Sequence, residues 1–439
     1  MTTASGPGAL ALLVGGGPAP GINGVISSVA IEAVEQGFEV IGVRDGFKWL
    51  VQGDTDHVRR LTIADVKAIH LRGGSILGTS RTNPAKSEAD MRNVLDSFQR
   101  LGVTKLVTIG GDDTAYSGSQ VYLKAGGAIR VAHVPKTIDN DLPLPGSTPT
   151  FGFETARHLG VGILRNLAED ARTTTRWYLV VSMGRAAGHL ALGIGKAAAA
   201  TLTIIPEEFR GRRVTLDEVN DILIGAILKR RAMGADYGVA VLAEGLLESI
   251  GEAGLAKMVE SGEIGRYGKV ARDPHGHLRL GEIEFGRMIR DRLTTKLEEM
   301  GLSMTLIDKD LGYELRSADP IPFDAEYTRD LGYGAVKFLR SEASAKFGAI
   351  ISLVGGRLEP LPFETMLNPQ TKRMQTRPVD VNGEGYECAR RYMIRLDARD
   401  FNDPGRLARL AAAAKMTPEA FQERFGYLVK GAEEKLGRS

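Results

Sequence analysis

A chain of 439 residues with 43% apolar and 25% charged side chains has an ordinary globular composition, long enough for two domains or one large one. Its 56 basic and 54 acidic residues leave a formal charge of +2, which gives no bulk attraction to nucleic acid or to a membrane surface. The one cysteine, Cys388, excludes an intramolecular disulfide and a cysteine-rich zinc site. No run reaches the ~18 apolar residues of a membrane span, and the first residues lack the basic and apolar regions of a signal peptide, so a reducing cytoplasm is the expected setting.

The first predicted strand is Ala9–Val14, an unbroken apolar run. It ends in Gly15-Gly16-Gly17-Pro18-Ala19-Pro20-Gly21-Ile22-Asn23, followed by a helical pattern over 24–35 and a strand over 38–43. Strand, glycine loop, helix and strand in that order make a βαβ unit and predict a parallel sheet. The loop offers backbone N–H groups ahead of a helix and suits a phosphate, although a tight turn without a ligand would use the same residues. It is not a dinucleotide fingerprint, because the third glycine position holds Pro20. Gly73-Gly74-Ser75-Ile76-Leu77-Gly78-Thr79-Ser80-Arg81 is a second glycine-rich loop, ending in an arginine able to bridge phosphate oxygens.

Two further apolar runs, 106–109 and 131–134, lead into Gly110-Gly111-Asp112-Asp113-Thr114 and Pro135-Lys136-Thr137-Ile138-Asp139-Asn140-Asp141. Strands are also predicted over 178–182, 239–242 and Ala349–Val354. The run 178–182 opens into Met183-Gly184-Arg185, and Glu244 follows 239–242. The polar stretch 262–281 reads as an excursion or hairpin, with His275 and His277 in a surface turn and not in a metal pair. Residues 361–379 have no clean period and read as an ordered surface loop. From Asp403 the tail reads as helical, since Asp403-Pro404 and Thr417-Pro418 each place a capping residue before a proline. The expected fold class is α/β, with two similar doubly wound lobes, mainly parallel sheets and three layers.

Four carboxylates (Asp112, Asp113, Asp139 and Asp141) and Lys136 therefore gather at the carboxyl edge of a parallel sheet, where open α/β folds bind ligands. So many carboxylates repel an anionic substrate unless a divalent cation bridges them. The mixture points to Mg²⁺, a phosphorylated substrate and one carboxylate acting as a base.

In this order the strings resemble the phosphofructokinase family, over roughly residues 10–335. The resemblance implies that Asp139 takes the proton from the sugar hydroxyl, that Asp112 holds Mg²⁺, and that Gly16 and Arg81 contact the phosphoryl donor. It also implies that Lys136 stabilises the transferred phosphoryl, and that Thr137, Ile138, Met183, Gly184, Arg185 and Glu244 line the sugar. Arg316 and Tyr313 would meet the sugar's 6-phosphate, with Lys309 a substitute for a second arginine expected near Ile307. Arg176 would be lent to a neighbouring subunit, which implies a homodimer or homotetramer.

ATP-using members usually carry glycine in place of Asp113 and a small residue in place of Lys136. Asp113 with Lys136 resembles the pyrophosphate-using branch: a carboxylate at 113 fills the space of a nucleotide α-phosphate and repels its charge. The implied reaction is reversible phosphorylation of fructose 6-phosphate by pyrophosphate. The implied domains are 1–150 with about 313–360 for the donor, 151–312 for the sugar phosphate, and 361–439 as a C-terminal extension. ATP as donor, sedoheptulose 7-phosphate as acceptor and a silent regulatory subunit remain as alternatives. Such a subunit is expected to lack the base or the metal acid, and this chain keeps Asp112, Lys136, Asp139 and Arg185.

Overall fold

The computed structural model describes residues 8–269, 283–368 and 374–429. In chain order its strands are β1 (Ala9–Val14), β2 (Glu39–Val43), β3 (Val58–Arg60), β4 (Val103–Gly110), β5 (Arg130–Pro135), β6 (Arg176–Ser182), β7 (Leu202–Ile204), β8 (Gly238–Ala243), β9 (Thr305–Leu311), β10 (Ala349–Val354) and β11 (Arg357–Pro362). The chain divides into two compact units, 1–159 with 313–377 and 160–312 with 378–439.

The first unit is built on a seven-stranded sheet of order β11-β10-β5-β4-β1-β2-β3. Its five central strands are parallel, and β3 and β11 are antiparallel edges. The central strands are apolar on both sides because helices cover both faces. On one face Val25, Ile26 and Val29 of the helix Ile22–Glu35 pack with Leu331, Ala335 and Phe338 of the helix Pro322–Arg340. Met91, Val94, Phe98 and Val121 cover the other face. From β1 the chain moves outward to β2, then returns to the opposite side of β1 with β4. That reversal opens a crevice between the carboxyl ends of β1 and β4, the place where such sheets take ligands.

The second unit has a four-stranded, all-parallel sheet of order β7-β8-β6-β9. Its core takes in Leu396, Leu407, Leu410, Phe421 and Phe425 from the tail. The tail helices start as the capping residues require: Asp403 accepts from the N–H groups of Gly405 (2.8 Å) and Arg406 (3.0 Å), and Thr417 from that of Ala420 (3.3 Å). Lys229 fixes the segment before them, donating to the Arg395 carbonyl at 2.8 Å and to Asp400 at 2.6 Å.

Several sequence expectations are refined. The first helix starts at Ile22 and not at residue 24. Within the expected loop 361–379, residues 361–366 are more regular, since β11 pairs with β10 and a short helix, Phe363–Met366, buries both its end residues. Of the C-terminal residues, the described ones at 361–368 and 374–377 group with the first unit and those at 378–429 with the second. Of the excursion at 262–281, Gly268 pairs antiparallel with Ile283, whereas His275 and His277 lie outside the described residues. Among the described residues no helix is long and apolar enough to cross a membrane.

Phe421 is fully buried, 4.9 Å from the Phe425 ring and 5.9 Å from that of Phe401. Phe421→Ala is expected to cost about 3–5 kcal/mol. Denaturant unfolding followed by tryptophan fluorescence checks this through Trp177, which is buried in the same core.

Candidate active site

In the first unit, register brings the carboxyl ends of three strands level: Val14 is opposite Ile109, and Gly110 opposite Pro135. The three motifs therefore leave the sheet side by side. Glycine is required where they meet. A Cβ at Gly15 would lie 2.4 Å from Thr114 Oγ1, and one at Gly110 would lie 2.3 Å from Thr114 Cβ. Gly16 turns with φ +81° and donates its N–H to the Ser80 carbonyl at 2.9 Å, which joins the second glycine loop to the first just before Arg81. Asn23 steadies that second loop from within, holding the carbonyls of Arg72 and Gly73 (both 3.1 Å) and the N–H of Ile76 (2.9 Å).

Lys136 is the link between motifs. It is only 5% exposed, and its Nζ donates to the carbonyl of Gly17. Burial, the Arg316 guanidinium and Arg81 bring its amine down to about 8, opposed by Asp139 and Asp112. Arg316 lies against the same loop: a Cβ on Gly17 would come within 3.0 Å of its Nη2. Its guanidinium is 5.1 Å from the ring of Tyr313, which is largely exposed. Arg316, expected at the sugar's 6-phosphate, thus sits within this unit beside the glycine loop, with Tyr313 against its guanidinium.

Asp112 and Asp113 open the helix Asp112–Lys124, where its dipole favours negative charge. Nearby in the sheet is His133, a fully buried residue of β5 opposite Thr108 of β4. Its ring nitrogens meet Thr108 Oγ1 at 2.8 Å and the Gly110 carbonyl at 3.0 Å. Burial holds it neutral, far below its usual value at about 3, so its N–H can serve the carbonyl from which the Gly110–Asp113 turn departs.

The loop 137–141 is shaped by one left-handed residue, Asn140 (φ +55°). A non-glycine residue there is strained by about 1 kcal/mol or more. The Asn140 side chain accepts the Thr150 N–H at 3.0 Å, and Thr150 Oγ1 donates to the Thr137 carbonyl at 2.8 Å. The Arg377 guanidinium also holds Asn140 through its carbonyl. Asp141 is pushed up by burial and by the charge of Asp112, and Thr137 and Arg377 oppose the rise. Asp112 and Asp141 thus feel each other's charge, and carboxylate oxygens are the ligands a hard cation takes. Among the described residues no three acidic, histidine or cysteine side chains form a metal cage. Such a cation would take its remaining oxygens from water and from an anionic ligand, the usual manner of Mg²⁺.

The second unit has its own cluster at the carboxyl ends of β6, β8 and β9. The Met183 N–H donates to the Leu311 carbonyl (3.1 Å), and the Glu244 N–H to that of Ser182 (2.9 Å). Gly184 has φ +128°, and a Cβ there would meet the Ala187 carbonyl at 2.7 Å. Glu207 closes this loop by accepting the N–H of Gly188 and of Val379, both at 2.9 Å. Arg185 pairs with Glu248 at 3.3 Å. Glu244 is raised by burial, with Arg185 opposing and Glu248 adding to the rise.

Met183, Gly184, Arg185 and Glu244 are therefore together, and Arg176 is not with them. It begins β6, six residues from the other end, a separation of roughly 20 Å. Lys309 shares a face of β9 with Ile307 and lies nearer the carboxyl end, opposite Val180. Sequence reasoning missed Thr114, His133, Thr150, Glu207 and Arg377. Thr114 and His133 stood inside or beside the quoted strings, but Glu207 and Arg377 carry no local signal.

Amine acylation read by mass spectrometry should show Lys136 half-titrated near pH 8. Arg316→Gln, which removes a like charge, should move that midpoint upward.

A family model described as phosphofructokinase matches residues 9–339. The chain is 55% identical to the pyrophosphate–fructose 6-phosphate 1-phosphotransferase of Thermotoga maritima, over 95% of this chain and 97% of that one. It is 47% identical to the protein of the same name from Naegleria fowleri, over 96% of each. Among solved structures, a pyrophosphate-dependent phosphofructokinase from Nitrosospira multiformis superposes with a TM-score of 0.62. That match is 17% identical and covers 88% of this chain and 90% of that one, a likeness of fold.

Proposed function

The chain belongs to the phosphofructokinase family, and we propose that it transfers a phosphoryl group from pyrophosphate to O1 of fructose 6-phosphate, giving fructose 1,6-bisphosphate and orthophosphate. The observation that carries the reading is Lys136 on the Gly17 carbonyl, in a motif set that places Asp113 where ATP users have glycine. Relatives covering nearly the whole chain bear the same activity in their names.

The donor binds at the glycine loop of the first unit, against Gly16, Arg81 and Lys136. The Asp113 carboxylate opposes a third phosphoryl group, whereas pyrophosphate has only two. Asp139 removes the proton from the C1 hydroxyl as that oxygen attacks phosphorus. Lys136 and Arg81 supply the positive charge that the three equatorial oxygens of the moving phosphoryl need. Asp112, with Asp141 beside it, would hold Mg²⁺, which when bound would neutralise charge on the donor. Thr137 and Ile138 border the acceptor hydroxyl.

In the second unit Met183, Gly184 and Arg185 bind the sugar, and Glu244 accepts hydrogen bonds from its hydroxyls. Tyr313, Arg316 and Lys309 serve the 6-phosphate. Arg176, at the amino end of β6, serves the 6-phosphate of a neighbouring copy in a homodimer or homotetramer.

The deciding experiment is the initial rate with Mg²⁺, fructose 6-phosphate and either pyrophosphate or ATP. Turnover with pyrophosphate alone is expected, and turnover with ATP alone would sink the donor assignment. Asp113→Gly should begin to admit ATP, and Asp139→Asn should lower kcat by about 10²–10⁴-fold. Lys136 is a cation below its pKa of about 8. The kcat/KM of the free enzyme should therefore fall as pH rises through about 8. A bound polyanion favours the charged amine, so the same limb in kcat should lie at higher pH.

A further inference from the structure

We infer that Arg377 is a positioning residue for the reaction: its guanidinium holds the turn between Asp139 and Asp141 in the shape that catalysis uses. The inference rests on the reading of 137–141 as the base-bearing loop. Arg377 is far from that loop in sequence, yet it meets the loop through its backbone and its side chain. Its N–H donates to the Asp141 carbonyl at 2.6 Å. Its Nε and Nη2 both donate to the Asn140 carbonyl, at 3.3 and 3.1 Å, and Nη2 also donates to Asn140 Oδ1. Its Nη1 reaches the Thr148 carbonyl at 3.1 Å.

One planar fork thus takes both oxygens of the left-handed residue and ties them to the returning segment of the loop at Thr148. Asn140 separates the two carboxylates, so its φ of +55° sets the directions in which Asp139 and Asp141 leave the chain. Asparagine tolerates this conformation better than most side chains, but its direction still depends on the groups that hold it. Thr150 supplies one restraint through its N–H, and Arg377 supplies three donated hydrogen bonds to Asn140. Lysine has one terminal nitrogen and cannot reproduce the fork, so charge alone is insufficient.

The test compares wild type, Arg377→Ala, Arg377→Lys and Asp139→Asn for kcat and KM with pyrophosphate and fructose 6-phosphate, with and without added guanidinium ion. Arg377→Ala should lose about 100-fold in kcat, the scale of an ångström's misplacement, with both KM values within about threefold of wild type. Guanidinium should restore about tenfold or more of that loss. Arg377→Lys, which keeps the charge and most of the volume, should fold and still lose about tenfold in kcat.

Arg377→Ala with more than about a third of wild-type kcat would overturn the inference. So would a loss that guanidinium leaves unchanged, or a fully active Arg377→Lys should the alanine variant not fold. An active Asp139→Asn would instead remove the parent reading of the loop, and the inference with it. An inactive Asp139→Asn beside a fully active Arg377→Ala removes only the role of Arg377.

Discussion

One buried ammonium organises the first unit. Lys136 leaves the end of β5, passes the end of β4 and donates to a carbonyl in the loop that follows β1. Everything around it answers to that placement. Glycine suits the loop, because Gly16 turns with φ +81° and a Cβ at Gly16 or Gly17 would crowd the ends of Lys136 and Arg316. The neighbours must include carboxylates, because an amine so far from water is already inclined to give up its proton. Arg81 and Arg316 increase that inclination and Asp139 and Asp112 reduce it, which leaves a cation only lightly held. Such a group gains from an incoming polyanion in a way that a solvated lysine does not. The electrostatic cost of assembling it before substrate arrives is returned when charge appears on phosphorus.

The acidic side has the opposite problem. Asp112 and Asp141 repel each other in a partly dry setting, and the protein answers with loop geometry more than with salt bridges. The backbone around Asn140 is pinned by uncharged donors and by Arg377, whose hydrogen bonds fall on carbonyls and an amide, although its charge also favours ionised Asp141. Neutral His133 does comparable work beneath Gly110. The turns that bear the chemistry are thus held largely by hydrogen bonds that do not neutralise it.

Most of the fold was legible in the sequence where strands are buried on both faces. The runs at β1 and β8 are apolar throughout, those at β4, β5, β6 and β10 are mostly so, with isolated interruptions such as Lys105, His133 and Ser352, and all end in glycine or in a motif. β9 was not legible: Thr-Leu-Ile-Asp-Lys-Asp-Leu is an edge strand whose charged residues break the run. β3 and β7 have three residues each, too few for any period. The same division holds for the site. Residues that meet ligands cluster in short strings after strands, and the family pattern made them readable. Arg377 and Glu207 act from far away in sequence on Asn140 and Gly188, and only the folded chain brings them there. Arg176 was readable as a residue but not as part of this chain's own cluster, because β6 carries it to the opposite end of its sheet.

The path of the chain carries a consequence for synthesis. The first unit is interrupted after residue 159 and resumes at 313, and the second is interrupted after 312 and resumes at 378. A ribosome therefore releases β1 to β5 long before β10 exists to flank β5, and all four strands of the second sheet before the helices that complete its core. Neither unit can finish folding on emergence, and the exposed edge of β5 must wait through some 200 residues of further elongation. At about 5–20 residues per second that is a wait of roughly ten to forty seconds, an interval in which an unpaired parallel strand is open to wrong partners. Fragments cut at either crossing are expected to refold poorly, because each lacks strands or helices that complete its unit.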